Sequence, residues 1–400
     1  MQTDSLQARL IGIFQHLHRH PELSGEERET TAHIRSILSA ADIEILDSDL
    51  ATGLVARIKG KGGAPPGSEA SRDPLVGQQK IPLVGGGKKV ALRADIDALK
   101  ISEESGLGYT SENPGVMHAC GHDFHTTALI GAALELQERR AEFAGEVLCI
   151  FQPSEETVGG ALSVLNTGLL DEVDEIYGQH CAPNYPSGAV AVCAGGTFAA
   201  SIEFKIRIEG RGGHAALPQN ALDPIVAAAA LITLAQSIVS RNTDPFDQIV
   251  LGFSHIQAGS TWNVIPDDAF LEGTIRALAE EKAAGTVARL AEICKGIEIT
   301  HGVSIAFDWQ FDALPTNNDP ALTEFVAATA TKLGLPVVRY TPTMMGEDFG
   351  YYQKQISGVF YNFGVGCPQG LHSPKFIANT EYLAASARLL AEIAVGALGV

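Results

Sequence analysis

Between Met117 and His125 the chain places three histidines, one cysteine and one aspartate within nine residues, Met117-His118-Ala119-Cys120-Gly121-His122-Asp123-Phe124-His125. Cys120 and His122 stand two apart, a spacing that on an extended backbone aims both side chains to the same side. A thiolate and an imidazole converging there suit a borderline-soft divalent cation such as zinc. Taken alone, the pair reads more simply as a buried apolar cysteine beside surface histidines, because cysteine packs well as a small hydrophobe. Three other segments favour the metal. In Phe151-Gln152-Pro153-Ser154-Glu155-Glu156 the apolar run 147–151 reads as a buried strand that Pro153 ends. Two adjacent carboxylates then sit just past the strand, where α/β proteins place ligands. Neighbouring side chains diverge, so one can hold a cation while the other handles a proton. Gln179-His180-Cys181 delivers a histidine at the end of a second apolar stretch. Gly370-Leu371-His372-Ser373-Pro374 puts another in a loop after the strand-like 359–363. The set is a cysteine, three histidines and a glutamate, with a second glutamate spare, which is enough for two metal ions.

The elements that must carry these donors follow from periodicity. Residues 6–20 and 25–40 hold apolar positions at helical spacing, divided by Pro21 and Gly25, and Ser24 followed by Glu27 has the form of a capping box. Strands are expected at 54–58 and 89–93, and a helix at 126–139 just after the histidine-rich motif. The Gly/Pro-rich stretch 60–89 between the first two strands reads as a mobile surface loop or hairpin extension. From about residue 195 the character changes. Residues 201–208 alternate strictly, as a strand with one solvated face does. A helix at 223–240, strands at 248–256 and 269–277, a helix at 279–296 and a strand near 303–309 complete a β-α-β-β-α-β order, that of a ferredoxin-like module. The expected organisation is an α/β catalytic domain over 1–194 and 313–400, interrupted by this α+β module over 195–312.

Composition sets limits. A chain of 400 residues with 45% hydrophobic content buries a large core and divides into two domains. A formal net charge of −19 argues against nucleic acid, whose phosphates need a basic face. The first residues lack a basic segment followed by a long apolar core, so no export signal is expected. The longest apolar run, near 225–234, reads as too short and interrupted for a bilayer. Six cysteines without a Cys-x-x-Cys pair fit reduced thiols in a cytoplasm better than a disulfide framework.

With these residues in view, the chain resembles the M20 metallopeptidase family, in its amidohydrolase branch of hippurate hydrolases, aminoacylases and indole-acetyl-amino-acid hydrolases. The matching residues are ordered along the whole sequence: His18-Arg19-His20-Pro21-Glu22-Leu23-Ser24, Leu92-Arg93-Ala94-Asp95-Ile96-Asp97-Ala98-Leu99, His118-Ala119-Cys120-Gly121-His122-Asp123 and Gln152-Pro153-Ser154-Glu155-Glu156. Gly210-Arg211-Gly212-Gly213-His214-Ala215, Asn263-Val264-Ile265-Pro266, Gly273-Thr274-Ile275-Arg276, Gly346-Glu347-Asp348-Phe349 and His372-Ser373-Pro374 follow. Lys100 departs from the family's usual proline, and the stretch 60–89 is longer than usual; neither touches a proposed ligand.

The resemblance implies a zinc-peptidase-like mixed-sheet domain with a smaller inserted lid that also makes a dimer contact. It implies that Cys120, His122, Glu156, His180 and His372 hold two divalent ions, zinc or manganese with cobalt or nickel as further options, and that Cys120 bridges them. Glu155 is then the general base, and Asp95 orients a metal ligand, with Asp97, Asp123 and His125 as weaker candidates for that place. His214 would donate to the oxyanion from the partner subunit, and Asn263 and Arg276 would contact substrate, Arg276 through its planar fork. The implied activity is hydrolysis of the amide bond of N-acyl amino acids (benzoyl, acetyl or indole-acetyl conjugates) by a homodimer or higher homo-oligomer. Alternatives are a dipeptidase or N-acetyl-diaminopimelate deacetylase on the same scaffold. A non-catalytic, metal-stabilised binding protein is disfavoured, since a closed structural site needs no spare Glu155.

Overall fold

Val147-Leu148-Cys149-Ile150-Phe151 has no polar face, and a strand of that kind must be covered on both sides. The computed structural model, which describes residues 2–62, 87–157 and 159–399, shows how. Most of the Gly/Pro-rich stretch 60–89 thus lies outside the described residues. The chain divides into two units, one of Met1–Ala194, Asn318–Tyr340 and Tyr352–Val400, the other of Gly195–Asn317 and Thr341–Tyr351. Residues 313–317 and 341–351, expected in the catalytic portion, join the second unit. Backbone bonds draw the later segment there: the Ala199 N–H donates to the Met345 carbonyl and the Thr343 N–H to the Thr197 carbonyl, both at 2.9 Å.

In the first unit the strands β1 (Glu44–Ile45), β2 (Leu54–Lys59), β3 (Lys89–Asp95), β4 (Glu146–Gln152), β5 (Glu175–Ala182) and β6 (Val190–Val192) share a sheet with Val337–Arg339 and Ser357–Gly364. The order is β1-β2-β4-β3-β5, then Ser357–Gly364, β6 and Val337–Arg339. β4, β3, β5 and Ser357–Gly364 run parallel to their neighbours, and antiparallel pairs flank this centre at β2/β4 and at Ser357–Gly364/β6. The helices are α1 (Gln2–Arg19), α2 (Arg28–Ala40) and α3 (His122–Glu138), with Gly160–Leu165, Pro320–Lys332 and Leu383–Ala397 later. α3 starts four residues ahead of the expected 126 because Gly121, at φ +86°, turns the chain and Asp123 lies in the helix's first turn, where the helix dipole favours an acid. The first three turns of α3 are buried throughout, so its sequence has little amphipathic pattern to read.

The expected capping box does not form. Ser24 Oγ donates to Asp97 instead, and Glu27, at the N-cap of α2, makes no capping bond. Glu22 caps α2 in its place, accepting from the N–H groups of Glu29 at 3.2 Å and Thr30 at 2.8 Å.

The second unit holds an antiparallel sheet ordered Ile249–Ala258, Asp268–Ala277, Ala200–Glu209, Ser304–Ala313. Helices Pro224–Arg241 and Glu280–His301 connect these strands in the β-α-β-β-α-β order of a ferredoxin-like module. Asp223 caps the first helix by accepting from the Ile225 and Val226 N–H groups. At 18 residues this helix is longer than the expected apolar run and, by length and composition alone, could cross a membrane. Its Ala227, Leu231, Ala235 and Ile238 belong to the apolar core of the unit.

α3 packs against Leu383–Ala397 through a glycine. A Cβ added at Gly131 would lie 2.7 Å from Ala387 Cβ and 2.9 Å from Leu10 Cδ1, closer than carbon atoms pack. Gly131→Ala should therefore destabilise the protein by about 1–3 kcal/mol, despite alanine's better helix propensity. Chemical denaturation measures this, and an unshifted midpoint would mean the helices separate at little cost.

Candidate metal centre

The candidate donors gather at the carboxyl ends of β3, β4, β5 and Ser357–Gly364, the end at which open parallel sheets bind ligands. Donor atoms of Cys120, His122 and His180 lie within 4.8 Å of one another, and so do those of Cys120, Glu156 and His372, and of His122, Glu155 and Glu156. Cys120 Sγ is 3.5 Å from His180 Nε2, and His372 Nε2 is 3.4 Å from Glu156 Oε1. His122 Nε2 stands 3.8 Å from both Glu155 Oε2 and Glu156 Oε1. All six residues that the sequence nominates for metal and base are thus brought together. The local route differs from expectation. Cys120 sits in a turn, not on extended backbone, and the left-handed Gly121 leads directly into α3. A side chain at 121 would meet Cys181 Sγ at 2.8 Å, so glycine is required there twice over.

Hydrogen bonding fixes the state of two rings. His122 Nδ1 lies 2.9 Å from the Asp97 carbonyl, and His180 Nδ1 lies 2.8 Å from that of Cys181. A carbonyl only accepts, so each Nδ1 carries a proton, which makes Nε2 the nitrogen that would offer its lone pair to a metal, the arrangement typical of metal-ligating histidine. His122 Nε2 and Glu156 Oε1 are buried without a hydrogen bond among the described residues. Buried polar atoms of this kind call for a partner.

The electrostatics ask for a cation. Burial disfavours a charge on His122, but Asp95 and Asp97 outweigh it and raise its pKa well above the usual imidazole value. Burial pushes the Cys120 thiol up, and Glu156 and Glu155 push it further. The His122 shift reports a surplus of negative charge, which divalent cations would offset, and the same cations would favour the thiolate that burial and the two glutamates oppose. The donors are a soft sulfur, imidazole nitrogens and carboxylate oxygens, a set that fits borderline divalent metals.

Support comes from residues the sequence reading ranks otherwise. Asp95 is 3.8 Å from His122 Nε2, beyond hydrogen-bond reach. Its carboxylate binds Arg93 and His125 at 2.6 Å each, and His125 Nε2 accepts from the Cys181 N–H at 2.7 Å. Asp95 therefore acts on the backbone beside His180 through His125. Asp97 is the nearer neighbour of the donors. Its Oδ1 is 3.3 Å from His122 Nδ1, and its Oδ2 accepts from the Ser24 hydroxyl at 2.7 Å and the Glu156 N–H at 3.0 Å. One signal was available: Asp97 is the second acid of an alternating Asp-x-Asp, so both acids share a face. His18 lies between Asp123 at 2.6 Å and Glu103 at 3.1 Å. Burial opposes its charge, yet these two acids raise its pKa to about 9.

The remaining nominated residues belong to the second unit. His214 and Asn263 are exposed and neighbour each other on a short ribbon, where His214 pairs with Val264 and the Ala215 N–H donates to the Asn263 carbonyl. Arg276 is the penultimate residue of the strand Asp268–Ala277, half-buried, with its Nε donating to Thr274 Oγ1 at 3.0 Å. Burial lowers its pKa, and Asp312 opposes that.

Comparison with known proteins gives this arrangement a class. Residues 91–395 match the model of peptidase family M20/M25/M40. The chain is 40% identical over 397 residues to an N-acetylcysteine deacetylase of Bacillus subtilis (strain 168), an alignment covering 99% of this chain and 98% of that protein. It is 37% identical over 373 residues to an N-acetyldiaminopimelate deacetylase of Geobacillus thermodenitrificans, covering 92% of each. Among solved structures, a dinuclear metal-binding peptidase of the M20 family from Bacillus subtilis superposes with a TM-score of 0.86 at 36% identity, over 99% of both chains. The chain belongs to peptidase family M20/M25/M40, as a metal-dependent amidohydrolase.

Removing a residue that orients a metal ligand commonly costs 10–100-fold in metal affinity or activity. Asp97→Ala should weaken metal retention by about 10–100-fold, measured by competition with a chromogenic chelator. Retention equal to wild type would reduce Asp97 to a structural acid.

Proposed function

We propose that this protein is a deacetylase of N-acetyl amino acids that uses two divalent ions, zinc or manganese, with cobalt or nickel as substitutes. What carries the reading is identity along nearly the whole chain to N-acetylcysteine and N-acetyldiaminopimelate deacetylases, joined to a donor cluster that includes a spare carboxylate. Those relatives favour the small acetyl group, and so the deacetylase alternative, over the benzoyl and indole-acetyl conjugates of the main sequence reading.

In this reading Cys120, His122 and His180 would hold one ion, and Glu156 and His372, with Cys120 also within reach, would hold the other. Such ions would polarise the scissile carbonyl and bring the pKa of water down toward roughly 7. Glu155 takes the proton of the attacking water and passes it to the leaving amine. Asp95 and Asp97 keep His125, His122 and the Glu156 backbone in register. Arg276 makes no salt bridge among the described residues, so its fork is suited to the substrate's α-carboxylate. His214 donates to the oxyanion, and Asn263 lies beside it to contact the substrate.

The second unit is proposed as the lid and dimerisation domain. Ile249–Ala258 is an edge strand with Val250 and Ile256 exposed, and Val226 and Leu234 are exposed on the helix Pro224–Arg241 that packs against that strand. An apolar edge of this kind is suited to pairing with a second copy, which brings His214 and Asn263 to the partner's site.

Wild-type protein loaded with zinc, manganese or cobalt should release acetate from N-acetylcysteine or N-acetyldiaminopimelate faster than it releases benzoate from hippurate. Glu155→Gln should keep its metal and lose about 10²–10⁴-fold in turnover. Hippurate as the best substrate, or a fully active glutamine variant, would refute the corresponding half of the proposal. Mixing inactive His214→Ala with inactive Glu155→Gln protein should restore activity through heterodimers that contain one intact site. An active monomer in sedimentation would exclude the shared site.

A further inference from the structure

The turn between α1 and α2 holds a glutamate whose position and bonding disagree. Glu27 occupies the N-cap of α2 yet makes no capping bond, because Glu22 already accepts from the first free N–H groups of the helix. Relieved of that role, the Glu27 side chain is wholly buried and points elsewhere. Its Oε1 accepts from the Ser154 N–H at 2.8 Å, with Ser154 Oγ at 3.4 Å. Its Oε2 accepts from Thr52 Oγ1 at 2.7 Å.

Ser154 has φ +55°, one of three non-glycine residues at positive φ among those described. A serine held there is strained and persists only where its surroundings over-determine it. The residue that follows is Glu155. One residue further on, the Glu156 N–H is fixed by Asp97 Oδ2, which also takes the Ser24 hydroxyl. Glu155 is thus strung between two N–H groups, one tied to Glu27 itself and the other to a carboxylate that Ser24 holds. A helix cap has been moved to Glu22, and the carboxylate this frees is spent on the strained turn that aims the acid pair.

We infer that Glu27 is a positioning residue for amide hydrolysis, holding Ser154 left-handed so that Glu155 and Glu156 face the donor cluster. The inference rests on the proposed function for its substrate, but its geometry does not depend on which amide is cleaved. Reach, not charge, is what the geometry demands. Glutamine keeps an oxygen at the distance of the Ser154 N–H, and its amide can donate to Thr52 Oγ1. Aspartate keeps the charge but is one methylene too short.

The test compares Glu27→Ala, Glu27→Asp and Glu27→Gln by turnover of an N-acetyl amino acid and by metal affinity from chelator competition. The alanine and aspartate variants should lose on the order of 10²-fold in kcat, the cost of misplacing a reacting group by about 1 Å, with KM little changed. Their metal affinity should fall by about tenfold or more, while the glutamine variant stays near wild type in both. A variant with lowered melting temperature but intact kcat and metal affinity overturns the inference, as does a glutamine variant no better than the aspartate one. If the alanine variant does not fold, the aspartate–glutamine comparison decides. A wild type inactive on N-acetyl amino acids would count against the substrate reading alone, because the metal affinities still rank the three variants.

Discussion

Asp95, Asp97, Glu155 and Glu156 set four carboxylates within 3.8 Å of the ring nitrogens of a single buried histidine, His122. Like charges at such separations repel strongly where water is excluded, so the cluster persists only with counter-charge and well-placed donors. Some of this is built into the chain, as the Arg93 guanidinium against Asp95 and the backbone N–H of Glu156 against Asp97. The rest is the charge that divalent ions would bring. The parallel centre of the sheet, the left-handed turn at Gly121 and the buried start of α3 each deliver one part of this cluster to one place.

Much of the fold and the donor set could be read from the chain. The apolar run 147–151 ahead of Pro153 and the short apolar stretch that leads to His180 mark strands whose last residues face a site, because a covered parallel strand tolerates such runs. The alternation over Ala200–Glu209 was equally plain, since one face of that sheet is solvated. What escaped has a common cause. Sequence spacing reveals only local partners, whereas Ser24 and Glu27 find theirs far along the chain at Asp97 and Ser154. Spacing suggested a local box, and a stronger non-local demand, the burial of strained backbone, claimed both side chains. α3 begins ahead of the expected residue for a related reason: a helix buried on every side in its first turns has no period to mark where it begins.

The ranking of the two aspartates in Asp95-Ile96-Asp97 shows the limit of residue type as evidence. Both are fully buried, yet Asp95 turns to Arg93 and His125 while Asp97 meets His122 and the acid loop. Which of two like residues touches a ligand depends on a carbonyl direction and a side-chain rotamer. Neither is written in the pattern.

The Glu27–Ser154 contact joins positions 127 residues apart. Closing a loop of that length is entropically slow, and contacts of high sequence separation form late. Because Glu27, Asp97, Ser154 and His372 come from opposite reaches of the chain, no fragment that lacks the amino-terminal turn or the final strand and its loop contains a whole site. The group of Cys120, Glu156 and His372 is therefore complete only once the last quarter of the chain is in place, and a nascent chain emerging from the ribosome assembles it last.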